Sequence, residues 1–400
     1  MPTPRTTRCF RPGTVDRVKV LVAPDKFAGT LTAVEAAEAI AAGWLRTAPH
    51  DEITQLPLAD GGPGFLDALA SALGGRRVRL EVTGPLGLPT DASILVVDGT
   101  AYVESAEACG LHLVPVELRD PVRATTYGVG ELIAAAVREG VARVVVGLGG
   151  SATNDAGIGM LAALGATAEG AEGNDVTALL AEGSSALRSV LSVDLAPARA
   201  AVAGVELVLA SDVDNPLLGL RGAANGFARQ KGADDGAVME LEGTLEHLVE
   251  VVGRRPDGKD PAVALGAGAA GGLGYALLHL DASRVPGIAT VLETVAFDEL
   301  AAAADLVVTG EGSFDWQSLR GKVVAGVAET ALAHGRACVV LAGRVEVGRR
   351  EYAATGVSGA FAVVDDLRER GLPESDAFVR PADHLAALAE RAARTWGGTG

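Results

Sequence analysis

The sequence is poor in the residue types that most often announce a chemistry. Only three of its 400 residues are cysteine. Cys9, Cys109 and Cys338 stand too far apart for a disulfide framework or for metal-ligand spacing, and a reducing, cytoplasmic compartment fits that usage. The six histidines are scattered without metal spacing. Cations are scarce: 34 Lys and Arg face 51 Asp and Glu, a net charge of −17. A chain that acidic is repelled by nucleic-acid backbones and anionic membranes, which excludes those partners. A small anion remains possible, because its site needs only a few local cations or backbone amides. The mean hydropathy of +0.28 comes mostly from alanine, and no stretch of about 18 strongly apolar residues occurs. A P-loop is missing, since Gly321-Lys322 is followed by valine, and so is the G-x-S-x-G elbow of serine hydrolases. Residues 1–17 carry Arg5, Arg8 and Arg11 without an apolar core segment. They read as a disordered tail or an over-extended start, with an organelle transit peptide as the alternative, and not as a secretory signal. Nothing in the sequence sets an oligomeric state.

What is present is a chain with 48% hydrophobic and 21% charged residues, enough apolar matter for two or three folded domains. Val18–Ala23 reads as a short buried strand ending in the turn Pro24-Asp25. Thr32-Ala-Val-Glu35 then forms a capping box that opens a helix running to about Leu45. A second strand, Ile53–Leu58, and a second helix, Phe65–Leu73, follow. Alternation at this spacing predicts a parallel sheet with crossover helices. From Arg77 to Ser105 short β-type runs are broken by Gly-Pro, Leu-Pro and Asp-Gly. The simple strand-turn-helix rhythm returns near Asp305 and continues through Val339–Leu341 and Phe361–Val364 to a last helix, His384–Arg394. The pattern predicts one α/β domain built from both chain ends, residues 18–76 and 296–400, with a second α/β domain, residues 77–295, inserted between.

Acidic or glycine-rich turns recur at the C-terminal ends of predicted strands, the edge where open α/β sheets bind ligands. They are Asp25, Ala59-Asp60-Gly61-Gly62, Gly147–Asp155, Ser211–Asn215 and Thr309–Gly312. The richest, Gly147–Asp155, follows a strand and opens a helix. Gly149 and Gly150 allow close approach of the backbone, and the amides around Ser151 and Ala152 would point at an anion with a helix dipole behind them. The letters Gly147-x-Gly149-x-x-Ala152 also fit a loose dinucleotide fingerprint, and Gly266-x-Gly268-x-x-Gly271 is a second fit. Tight helix–sheet packing explains either motif equally well. Asn154 and Asp155 are unusual in a dinucleotide turn; they are hard oxygen donors suited to Mg²⁺. In an extended segment Asp212 and Asp214 point the same way, a second oxygen-donor pair for Mg²⁺, with a solvated turn as the alternative. Lys231 and Lys322, each beside a glycine, are candidates for phosphate or carboxylate contact. These residues favour Mg²⁺-assisted phosphoryl transfer over redox chemistry.

In chain order the motifs resemble bacterial glycerate kinase of the two-domain type. The matching stretches are Ala23–Phe27 with Gly29–Thr32, Ala59–Gly62, Glu104–Glu107 with Gly110-Leu111, Thr125–Leu132, Gly147–Gly159, Asp212–Leu217, Gln230–Gly232, Gly266–Gly274 and Ala304–Gly312 with Asp315, Gln317 and Gly321-Lys322. The resemblance implies a flavodoxin-like parallel-sheet domain formed by both chain ends, an inserted mixed α/β domain, and a site between them. It implies ATP-dependent phosphorylation of D-glycerate, with 2-phosphoglycerate as product. A kinase of another small hydroxy acid and a non-catalytic nucleotide-binding regulator are the alternatives; Asp155, Asp212, Asp214 and Lys322 together argue against lost turnover. The candidate site comprises Asp60, Asp155 and Lys322 as catalytic residues, and Asp212 and Asp214 for the metal. Gly149, Gly150, Ser151, Ala152, Asn154, Lys231, Gly268 and Gly271 are assigned to the nucleotide, and Asp25, Lys26, Gly61, Gly62 and Glu311 to the acceptor. Many relatives have lysine where this chain has Ala28, and Glu-Gly-Thr where it has Pro63-Gly64-Phe65. Both departures bear on acceptor specificity.

Overall fold

The computed structural model describes residues 17–398, so the tail read from residues 1–17 lies, but for Arg17, outside the described residues. The chain divides into two compact units. One contains the chain up to Leu56, Asp298–Trp316 and the chain from Val327 onward; the other contains Pro57–Phe297 and Gln317–Gly326.

The first unit is built on a five-stranded, wholly parallel sheet. Its spatial order is Val357–Ala362, Ala337–Val345, Leu306–Phe314, Lys19–Val22, Glu52–Gln55. Numbered along the chain and read from the Glu52–Gln55 edge, that is 2-1-3-4-5, the flavodoxin order. Lys19–Val22 lies inside the sheet, and Val20, Leu21 and Val22 are buried, as its unbroken apolar run requires. The helix Ala33–Thr47 starts where the sequence signals it: Thr32 Oγ1 accepts from Glu35 N at 3.2 Å, and Glu35 Oε2 accepts from Thr32 N at 2.9 Å. Its apolar face packs against the last helix, Pro381–Trp396. Trp44, Ile40, Leu385 and Leu388 join Val20, Val308 and Leu341 in one core. The Trp44 indole N–H is satisfied by Asp51 at 2.9 Å. Truncating a core residue of this size costs roughly 3 kcal/mol or more.

One sequence expectation changes here. Thr309–Gly312 is not a turn; it lies inside the nine-residue strand Leu306–Phe314. Gly310 permits this, because a Cβ at that position would lie 2.2 Å from the Leu341 carbonyl of the neighbouring strand.

The second unit carries a six-stranded mixed sheet. Ser283–Val285, Glu206–Ala210, Arg143–Gly147 and Thr100–Glu104 run parallel; Pro89–Val97 and Arg76–Thr83 complete it antiparallel. A small antiparallel pair, Thr167–Glu169 with Ser192–Asp194, stands apart. The sequence reading placed the first boundary at 76, whereas the units divide at Leu56/Pro57. The helix Phe65–Leu73 packs on Pro89–Val97 and Thr100–Glu104, and this carries the Asp60-Gly61-Gly62 turn into the second unit. No helix among the described residues is long and apolar enough to cross a membrane.

Candidate active site

The strand Arg143–Gly147 is buried from Val144 on, and the chain leaves it through Leu148-Gly149-Gly150-Ser151. This turn is pinned from two sides. Leu148 N donates to Ala210 O at 3.0 Å, Ala152 N to Cys109 O at 2.8 Å, and Leu111 N to Gly150 O at 2.8 Å. Between those anchors the N–H groups of Gly149, Gly150 and Ser151 donate to no acceptor among the described residues. Successive unpaired amides in a turn form a concavity of positive partial charge suited to an anion. Gly149, Gly150 and Ser151 line a cavity of about 290 Å³ together with Lys231, Gln230 and Ala269–Gly271.

Lys231 is 3% exposed. It arrives from the short turn Arg229–Lys231 and places Nζ 3.0 Å from Ser151 Oγ and 2.6 Å from Thr153 O. Burial pulls its pKa down to about 8, against the opposing pull of Cys109 and Asp155. An ammonium has three donors, and two are engaged, which leaves one for a ligand.

Asp155 is fully buried and its carboxylate is saturated. It accepts from Thr126 N and Oγ1, both at 2.8 Å, from Gly157 N at 3.0 Å and from Gly159 N at 3.4 Å. Burial raises its pKa and these donors oppose the rise. The residue therefore ties the start of Tyr127–Arg138 to that of Ile158–Ala163. Thr126 was not signalled as its partner, since nothing local in the sequence connects them. Neighbouring Asn154 is also buried, and both its side-chain oxygen and nitrogen lack a hydrogen-bond partner.

The second glycine motif meets the first. A Cβ at Gly271 would lie 1.8 Å from Thr153 O, and one at Gly268 would lie 2.3 Å from Pro216 O. Gly271 O accepts from Ala156 N at 3.1 Å. Close packing thus fixes both glycines, although Gly271 also borders the cavity.

The acidic clusters sort differently from the sequence reading. Asp214 is exposed and forms an ion pair with Arg284. Asp212 turns to the N-terminus of Gly287–Thr294, where Ile288 N lies 3.3 and 3.4 Å from its two oxygens. The pair expected to point the same way therefore has separate hydrogen-bond partners: Arg284, on the adjacent parallel strand, pairs with Asp214 and donates to Ser211 O at 3.2 Å, whereas Asp212 accepts from Ile288 N. Arg284 stands beside no glycine in the sequence, so the glycine-turn pattern carries no signal for it. The negative charge that acts on Asp212 is that of Asp60, whose backbone lies close by. A Cβ at Gly287 would lie 2.3 Å from Asp60 O and 3.1 Å from Asp212 Oδ2. Burial, then the Asp60 charge, pushes the Asp212 pKa up to about 7. Asp60 itself accepts from Gly62 N at 3.2 Å. Among the described residues no group of three or more His, Cys, Asp or Glu side chains could hold a metal ion. Two carboxylates completed by substrate phosphates are nevertheless a usual Mg²⁺ arrangement. A cation there would offset both the burial of the Asp212 carboxylate and the Asp60 charge beside it.

The Asp60 turn lies against the phosphate-type turn. Gly61 approaches Ala210 O and Gly147, a Cβ at Gly149 would lie 2.6 Å from Gly62 Cα, and one at Gly150 2.8 Å from the Pro63 ring. In the first unit Asp25 and Lys26 follow Lys19–Val22: Lys26 N donates to Asp25 Oδ1 at 2.7 Å, and Lys26 Nζ lies 4.0 Å from the same carboxylate. Glu311 is half-buried on the adjacent strand. Lys322, half-buried, immediately precedes the helix Val323–Ala333.

Comparison with known proteins agrees with this architecture. The pattern of the glycerate kinase family matches residues 20–397. The glycerate kinase of Bacillus subtilis (strain 168) is 40% identical, over 94% of this chain and 96% of its own. The glycerate 2-kinase of Escherichia coli (strain K12) is 38% identical, over 88% of this chain and 91% of its own. A crystal structure of a "putative glycerate kinase 2" from Salmonella typhimurium LT2 superposes with a TM-score of 0.77 at 35% identity, covering 95% of this chain and 98% of that one. The chain belongs to the glycerate kinase family and is a phosphotransferase.

Proposed function

We propose that this enzyme transfers the γ-phosphoryl group of ATP to D-glycerate, giving 2-phosphoglycerate, with Mg²⁺ assistance. The observation that carries the reading is the run of unpaired amides at Gly149, Gly150 and Ser151 beside the buried Lys231 ammonium. It offers an anion both oriented donors and a charge, in a protein without a P-loop. The phosphates bind there, and Ser151 Oγ holds the ammonium on its cavity side. Asn154 and Ala152 belong to the same turn, and Gly268 and Gly271 clear the space behind it. Asp155 acts by fixing the turn between two helix starts.

Asp60 and Asp212 would hold the ion, Asp214 serving through Arg284, which orders the segment. Mg²⁺ bound there supplies charge neutralisation of the transferring phosphoryl group. Asp60 is also assigned to accept a proton from the acceptor hydroxyl, with Gly61 and Gly62 leaving space beside it. Lys26 with Asp25 and Glu311 is assigned to the acceptor's carboxylate and hydroxyls, and Lys322 to charge on the transferring group. A coupled assay of ATP consumption with and without D-glycerate, across a panel of small hydroxy acids, tests the acceptor. Phosphorus NMR of the product distinguishes 2- from 3-phosphoglycerate. ATP consumption independent of any hydroxy acid would overturn the reading.

A further inference from the structure

Glu104 ends the strand Thr100–Glu104, in register with Gly147 of the neighbouring strand. Its side chain is 4% exposed, and no cation pairs with it among the described residues. Both carboxylate oxygens accept from Gly64 N, at 3.1 and 3.2 Å, and one also from Leu66 N at 3.2 Å. Gly64 is the N-cap of Phe65–Leu73, has φ +94°, and supplies no cap of its own. Glu104 therefore caps that helix from another strand. Immediately before Gly64 runs Asp60-Gly61-Gly62-Pro63, whose glycines and proline crowd Gly147, Gly149 and Gly150. The next residue, Ser105, bonds Gly147 O through N at 3.1 Å and Oγ at 2.8 Å.

A buried carboxylate without a counter-ion is costly. Burial, reinforced by Glu107 and Asp67, pushes the Glu104 pKa up to about 7. An apolar residue would fill the volume without that cost and would leave the Gly64 and Leu66 amides without an acceptor.

We propose that Glu104 is a positioning residue for phosphoryl transfer: it ties the Asp60 turn to the strand pair that presents the Gly149–Ser151 turn, and so fixes the spacing of the two turns. The inference rests on the assignment of those turns to the reaction. Glu104→Gln keeps the size and replaces one acceptor oxygen with an amide that faces N–H donors. Its kcat should fall ~10- to 100-fold, the cost of misplacing reacting groups by about an ångström. Calorimetric ATP affinity should stay within about twofold of the parent, because Lys231 and the unpaired amides are untouched. Hydrogen exchange should accelerate at Gly62–Leu66 and not in Tyr127–Arg138. Glu104→Ala should show the same split; if it fails to fold, Glu104→Gln decides. The inference is overturned if kcat of folded Glu104→Gln stays within about twofold of the parent, or if ATP affinity falls in parallel with kcat. Failure of D-glycerate as acceptor would count against the proposed function only, since the kcat split is measured with whichever hydroxy acid the parent accepts.

Discussion

The two glycine-rich turns of the second unit share a spacing and differ in what their glycines do. In Gly266–Gly274 the glycines serve the protein itself: Gly271 sits on the Thr153 carbonyl, Gly268 on Pro216, and Ala270, Gly271 and Gly272 all have positive φ. In Gly149–Ser151 the glycines also pack closely, against Gly62 and Pro63, yet three successive amides stay unpaired at a cavity wall and a buried lysine lies beside them. The letters of a G-x-G-x-x-G pattern report only that a Cβ has no room. Whether the room belongs to a ligand or to another stretch of backbone depends on residues far away in sequence, here Lys231 and Thr153. The second motif is the support of the first, because its glycines let the chain close behind Thr153.

That contrast can be broken by substitution. Gly271→Ala should have the largest effect: the added Cβ meets a backbone oxygen that cannot swing away, at φ +70°, and a loss of roughly 3 kcal/mol or more is expected. Gly150→Ala adds a Cβ 2.8 Å from the Pro63 ring at φ +67°; a smaller loss of about 1–3 kcal/mol is expected, with weakened ATP binding in the protein that remains folded. Chemical denaturation of both variants checks the order. Equal destabilisation would mean that the two turns are packing features of one kind.

The two acidic residues sharpen the comparison in the same way. Asp212→Asn should lower kcat ~100-fold or more, the usual cost of removing one electrostatic stabiliser. Asp214→Asn removes only an exposed partner of Arg284 and should leave kcat within a few-fold, since such pairs contribute about 0–1 kcal/mol. Steady-state kinetics at matched Mg²⁺ decides; similar losses in both variants would restore the joint metal pair expected from the sequence.

A third effect is smaller and depends on pH. The Lys231 pKa lies at about 8 in the folded protein, so its charge is lost as pH rises through 8. ATP affinity should therefore fall up to about tenfold between pH 7 and 9. Folding stability should move the other way. The folded pKa is depressed from 10.5, so the unfolded chain binds more protons between about 8 and 10.5, and this group's contribution to stability rises with pH across that window. Titrations of ATP and urea melts over the same buffers test both signs. Affinity flat from pH 7 to 9 would place the phosphates away from Lys231.

The parts legible in the sequence were those with local causes. The capping box at Thr32 and Glu35 set a helix start, the apolar run at Val18–Ala23 set an inner strand, and the return of strand-turn-helix rhythm near Asp305 signalled that both chain ends build one sheet. The parts that were not legible depend on distant partners. Asp155 looked like a metal ligand because its neighbours are glycines and Asn154; two of its four donors come from Thr126, 29 residues away. Asp214 looked like a twin of Asp212 until Arg284, 70 residues on, claimed it. Thr309–Gly312 looked like a turn because glycine in a strand is uncommon, and only the adjacent strand at Leu341 explains Gly310. Glu104 lies in a stretch that carries the family resemblance, and its role depends on the 38–40 residues separating it from its donors.

The central claim is that the Gly149–Ser151 turn with Lys231 holds the phosphates of the nucleotide. Calorimetric titration of ATP into Lys231→Met, at pH 7 and fixed ionic strength, tests it most directly, because the substitution keeps the buried length and removes only the charge and its donors. A loss of one charge-assisted hydrogen bond predicts ~10- to 100-fold weaker ATP binding, with the KM for the acceptor within about twofold. Unchanged ATP affinity in a folded Lys231→Met protein would contradict the account and make the cavity a packing defect.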